Sequence, residues 1–137
     1  MLAALTALYL LAVGWLTLRA RPYGDEISGV LERLLTWLSE RPSTAWVTFG
    51  VVEFAANVAM FVPLGVLAVL WFGVRRWWLA PVLGLVLSGA IEAAQFMLLD
   101  TRVADVRDLV ANTGGALIGA LLMLLLAFLL APGSSRR

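Results

Sequence analysis

Apolar residues run along the chain in four long stretches, at 2–18, 49–72, 77–99 and 106–131. A helix rises about 1.5 Å per residue, so about 20 residues cross a hydrocarbon core about 30 Å thick. The last three stretches are long enough to span with some tilt. The first is shorter. It has no basic leading region and no small-x-small site before Arg19, so it reads as a retained span rather than a cleaved signal. Pro22, Pro42, Pro81 and Pro132 mark the limits of these stretches, where a missing N–H costs little. Pro63 falls inside the second, where it leaves the Ala59 carbonyl without its usual donor and is expected to bend the helix.

The residues between the first two stretches follow a different period. Ile27, Val30, Leu31, Leu34, Leu35 and Leu38 form one apolar stripe at helical spacing, with Glu26, Glu32, Arg33 and Glu40 on other faces. This segment is too short and too charged to span, which predicts an amphipathic helix over 26–39 lying in the interface with Trp37 at its edge. Trp46 stands at the entrance to the second stretch, and Trp71, Trp77 and Trp78 bracket the turn before the third, at the headgroup level that indoles favour. The expected fold is therefore an all-α membrane protein, a single domain over 1–137. It is a four-transmembrane-helix bundle with one short amphipathic interfacial helix between spans 1 and 2.

Polar residues interrupt the apolar stretches at helical spacing. Glu53 and Asn57 share a face of the second span, Ser88, Glu92 and Gln95 a face of the third, and Asp105, Asp108 and Asn112 a face at the start of the fourth. The second span runs away from the interfacial-helix side, the third returns to it and the fourth starts from it. At about 1.5 Å per residue, Asn57, Glu92 and Asn112 then lie within about 10–12 Å of the same interface. A lipid-facing carboxylate is costly, so the three stripes should face one another, with Arg102 in the connection above placed to pair with an acid. Amides and hydroxyls inside membranes also serve as interhelical hydrogen-bond glue, and Ala111, Gly115 and Gly119, like Gly84 and Ser88, have the small-xxx-small spacing of close helix packing.

Composition narrows the chemistry. The chain has no His and no Cys, which removes imidazole acid–base chemistry, thiolate chemistry and nearly every zinc, copper or haem site. Net charge is +1, so nothing points to nucleic acid. With four spans both termini share a side with the Trp71–Trp78 turn and with Arg75, Arg76, Arg136 and Arg137. A plain count of Arg favours the opposite side as cytoplasmic, but Arg33, Arg41, Arg102 and Arg107 there sit beside acids. Discounting those places the termini in the cytoplasm.

Three elements of the chain resemble the VanZ-like family of small bacterial membrane proteins. They are Asn57-x-x-x-Phe61-x-Pro63-x-Gly65, then Ser88-x-x-x-Glu92-x-x-Gln95, then Arg102-x-x-Asp105-x-x-Asp108-x-x-x-Asn112-x-x-Gly115 followed by Gly119. The resemblance covers about Glu53 to Ala120, and the His-containing segment that some members carry near the first span is missing. It implies a plasma-membrane protein linked to the cell envelope and to low-level glycopeptide (teicoplanin) resistance.

Three functions fit these residues. In the first, the pocket of Glu53, Asn57, Ser88, Glu92, Gln95, Arg102, Asp105, Asp108 and Asn112 binds or modifies an envelope component, a lipid-linked or glycopeptide-related ligand, with Arg102 meeting a phosphate or carboxylate. In the second, the chain is an intramembrane enzyme acting on a phospholipid or polyprenyl-linked substrate. Glu92, Asp105 and Asp108 are then the candidate catalytic residues, holding Mg²⁺ or, for Glu92, exchanging a proton. In the third it is a small ion-coupled carrier, which with four short helices would require an oligomer.

Overall fold

The computed structural model describes residues 1–18, 25–98 and 105–131, with side chains throughout except at 25–28. It contains α1 (Leu2–Thr17), α2 (Asp25–Ser39), α3 (Phe49–Phe72), α4 (Leu79–Leu98) and α5 (Val106–Leu130), with a 3-10 turn over Val74–Arg76 and no strand among the described residues. Helices α3, α4 and α5 fall on the three longer apolar stretches and are long and apolar enough to cross a membrane. The predicted first span is a helix, but its 16 residues rise only about 24 Å. Length alone does not carry it across.

Local signals account for the helix limits. Thr48 precedes α3 in extended conformation, and α3 runs unbroken through Pro63. It ends at Gly73, whose φ of 79° favours a residue without Cβ, while the Gly73 N–H closes on the Val69 carbonyl at 2.8 Å. The next residues turn through Trp77 into α4. Helix α2 stands where its stripe predicts. Leu31, Leu35 and Leu38 are partly buried while Val30, Leu34 and Trp37 are exposed, and the Arg41 guanidinium lies 3.6 Å from the Trp37 ring centroid. Arg102, Pro22, Pro132 and the terminal arginines lie outside the described residues.

The core is built around α5. A Cβ added to Gly115 would collide with the Val58 carbonyl, one on Gly119 with the Val62 carbonyl, and one on Gly65 with the Ala116 carbonyl. The first two pairings advance together by four residues along both chains, so α3 and α5 run parallel with their backbones in direct contact. Helix α4 runs antiparallel between the two ends, and Gly84 meets the Ala116 methyl on another face of α5. Ala111, Ala116 and Ala120 are fully enclosed. In lipid no hydrophobic force drives helices together, so close van der Waals contact at small residues takes its place.

Helix α1 is attached differently. Val13 is its one buried side chain among the described residues. Trp71 Nε1 donates to Thr6 Oγ1 at 3.0 Å, the Tyr9 hydroxyl to the Met60 carbonyl at 3.1 Å, and Gln95 Nε2 to the Thr17 carbonyl at 2.8 Å. These links run α1 from the Trp71 level up to the end of α4. Outside, large apolar side chains such as Phe96, Val86, Leu125 and Phe128 are more than half exposed, whereas Ser88, Glu92, Gln95 and Asn112 are buried. Apolar outside and polar inside is the arrangement of a chain in contact with lipid.

The glycine contacts give a direct test. Gly119→Ala should lower stability in detergent by about 1–3 kcal/mol, because the Val62 backbone cannot yield as a side chain would. Gly114, in the same helix with nothing within 4 Å, is the control. Its change to Ala should be neutral or stabilising by up to about 1 kcal/mol. Thermal unfolding of the two variants decides; equal loss would show that the α3–α5 backbone contact is not what holds the bundle.

Candidate functional site

The polar stripes of α3, α4 and α5 converge at one end of the bundle, where α3 and α5 begin and α4 ends. Asp105 is the N-cap of α5, and its side chain accepts from the Arg107 N–H at 2.8 Å. Its own N–H donates to Glu92 Oε2 at 3.1 Å. In a capping box the acid at the third helical position reaches back to that N–H; here the position is Asp108, and Glu92 of α4 takes over its role. Asp108 instead accepts from Asn57 Nδ2 at 2.7 Å. One terminus thus ties all three helices together. Glu92, Asp105 and Asp108 lie where the unpaired N–H groups and dipole of α5 favour negative charge.

A second set of bonds lies beside and below. Gln95 Nε2 caps the C-terminus of α1 through the Thr17 carbonyl, one of the carbonyls a helix end leaves without a partner. Asn112 Nδ2 donates to Ser88 Oγ at 2.8 Å, both residues being buried. Asn112 Oδ1 is buried with nothing donating to it among the described residues. Exchanging the amide's N and O would only move the unmet bond to the other atom.

Between α1, α3, α4 and α5 these residues border a cleft of about 510 Å³, lined by Glu53, Asn57, Glu92, Gln95, Asp108 and Asn112 together with Leu16, Thr17, Met60 and Ile91. Six of the nine residues singled out in the sequence therefore share one cavity. Ser88 sits behind it on Asn112, Asp105 is exposed at its rim, and Arg102 lies outside the described residues. Glu53 is exposed, in contrast to the buried Glu92. The contribution of α1, through Leu16 and the Thr17 carbonyl, had no signal in the sequence, because a backbone acceptor is the same in every residue.

The same geometry bears on Mg²⁺. Mg²⁺ usually keeps several waters and is held by one or two carboxylates together with substrate phosphates. Among the described residues no three acidic side chains are grouped to hold a metal. Glu92 and Asp105 are turned to backbone amides and Asp108 to Asn57.

A family model described as VanZ/LLP1 matches residues 6–128. No curated protein and no solved structure matches the chain. The family match takes in most of α1, and so extends the likeness well beyond the motifs between Glu53 and Ala120.

The shared terminus predicts coupling. Asn57→Ala and Asp108→Ala should each destabilise the bundle, and the double variant should be less destabilised than their sum by about 0.6–2 kcal/mol, the range for hydrogen bonds between membrane helices. A double-mutant cycle of unfolding free energies in detergent measures this term; simple additivity would mean that the 2.7 Å bond does not join α3 to α5.

Proposed function

The chain belongs to the VanZ/LLP1 family, and from that premise we propose that it is a four-span protein of the bacterial plasma membrane whose polar cleft binds part of an envelope component and so raises tolerance to teicoplanin. The observation that carries this reading is the cleft itself: carboxylates and amides from three helices, drawn inward around an open space at one end of an otherwise lipid-facing bundle. Polar groups are expensive there, and packing alone needs no cavity.

Binding is favoured over turnover by how the carboxylates are engaged. Glu92 accepts from the Asp105 amide and Asp108 from Asn57, so both hold the walls of the cleft in place. Helix α1 serves as the short fourth span, which the links from Thr6 to Trp71 and from Thr17 to Gln95 support by laying it along the spanning helices. Helix α2 then lies in the interface above the cleft end, its exposed Val30, Leu34 and Trp37 turned to the acyl boundary. With an even number of spans, both termini face the cytoplasm alongside Arg75 and Arg76.

Expression of the wild-type chain in a susceptible bacterium should raise the inhibitory concentration of teicoplanin more than that of vancomycin. Glu92→Ala should abolish the rise, whereas Gly89→Ala, with nothing within 4 Å of the new methyl, should keep it. Equal amounts of each variant in the membrane are checked by immunoblot. No rise with the wild type, or a full rise with Glu92→Ala, refutes the proposal.

A further inference from the structure

We infer that the cleft is the headgroup end of a longer site, and that its ligand is a membrane amphiphile with a primary ammonium headgroup and a hydrocarbon chain lying between α1, α3 and α4. This rests on the reading of the cleft as a ligand site and adds the class of ligand.

The direction of the amide hydrogen bonds carries the headgroup. Gln95 faces a backbone carbonyl and Asn57 a carboxylate, partners that accept, so both amides must turn their NH2 to the protein. Asn112 does the same towards Ser88. All three therefore keep their oxygens for something else, and that of Asn112 is buried with no donor among the described residues. The Glu53 carboxylate lines the same cleft and is exposed, while among the described residues no Arg lines it. Arg107 lies to one side, its guanidinium 3.3 Å from where a Cβ on Gly50 would stand. A cleft lined by acceptors and one open carboxylate suits a group that is both a cation and a multiple donor. A primary ammonium offers three N–H bonds and a positive charge; a quaternary ammonium offers only the charge.

A second cavity carries the chain. A groove of about 440 Å³, almost wholly apolar, is lined by Leu10, Leu64, Leu67, Trp71, Val86 and Leu87 among others. It is built on α1, α3 and α4, three of the four helices that wall the cleft. The cleft reaches Met60 on α3 and Ile91 on α4, and the groove begins at Leu64 and Ala90. On α3 the gap is a single helical turn of about 5–6 Å. Between them Tyr9, Met60, Leu87 and Ile91 pack with Val13, Phe61 and Leu64 in one apolar cluster, along which a hydrocarbon chain would lie. A polar cavity near one face of the bilayer, followed along the same helices by an apolar groove towards the other, has the polarity profile of a lipid.

Trp71, at the far end of the groove, supplies the readout. The full-length chain is reconstituted in phosphatidylcholine vesicles and titrated with lysophosphatidylethanolamine carrying a brominated chain, which quenches nearby indoles. The difference between wild type and Trp71→Phe isolates the signal at this position. The ethanolamine lipid should quench Trp71 several-fold more than the brominated choline lipid at the same membrane content, and Glu53→Gln should remove that excess. Equal quenching by the two headgroups, or an excess that survives Glu53→Gln, overturns the inference. So does equal quenching by brominated lysophosphatidylglycerol, which would assign the cleft to hydroxyl donors. Amine selectivity without any effect of Glu92→Ala on teicoplanin tolerance would sink only the envelope role. Loss of tolerance without amine selectivity would sink only the ligand class.

Discussion

Backbone contact between α3 and α5 is the constraint on which the other features rest. Where Gly115 faces Val58, Gly119 faces Val62 and Gly65 faces Ala116, no side chain intervenes, and the two helices settle at a separation and register that only glycine allows. Weak Cα–H···O contacts are available at that distance and add to the van der Waals term. Because the two helices are parallel, they cannot be joined directly. Helix α4 must return the chain to the starting face, and this return brings the end of α4 beside the beginnings of α3 and α5. The polar end is thus a consequence of topology: three helix termini gather there because a parallel pair has been closed by an antiparallel third.

Along α4 the inward face grades from small to polar. Gly84 admits the Ala116 methyl, Ser88 accepts from Asn112, Glu92 takes the Asp105 amide and Gln95 the Thr17 carbonyl. Each step is about one turn nearer the surface, and from Ser88 onwards each side chain has a polar partner. The order follows from the cost of burial. Deep in the bundle a small residue needs no partner, a hydroxyl needs one, and a carboxylate is stable only where a helix N-terminus and water are both near. Glu92 completes the α5 cap from another helix, which leaves Asp108 able to bind Asn57. One borrowed hydrogen bond therefore makes the second tertiary bond possible.

Much of this was legible in the sequence because the membrane leaves few alternatives. Apolar run length fixed α3 to the residue and α4 and α5 to within two, and helical spacing with chain direction brought Asn57, Glu92, Gln95, Asp108 and Asn112 to one level. The glycine spacing on α5 pointed to close packing, though the matching role of Gly65 on α3 lay outside that pattern. What could not be read was the pairing. Whether Glu92 meets a cation or a backbone amide, and whether Gln95 turns to Asn112 or to α1, depends on differences of an ångström that spacing does not encode. The number of spans was also undecided by hydropathy, since α1 is apolar throughout yet shorter than the hydrocarbon core is thick.

Helix α1 matters in another way, because it walls both cavities and is the least firmly held of the apolar helices. Its attachments among the described residues include one buried valine and three hydrogen bonds, each of the order of 0.6–2 kcal/mol in a membrane setting. Separating α3 from α5 would instead break the backbone contacts at Gly65, Gly115 and Gly119, where the facing carbonyls cannot adjust as a side chain would. Any change in the width of the cleft or the groove must therefore fall on the α1 side. Residues of α1 line both cavities, so the more loosely attached wall borders the polar cleft and the apolar groove alike.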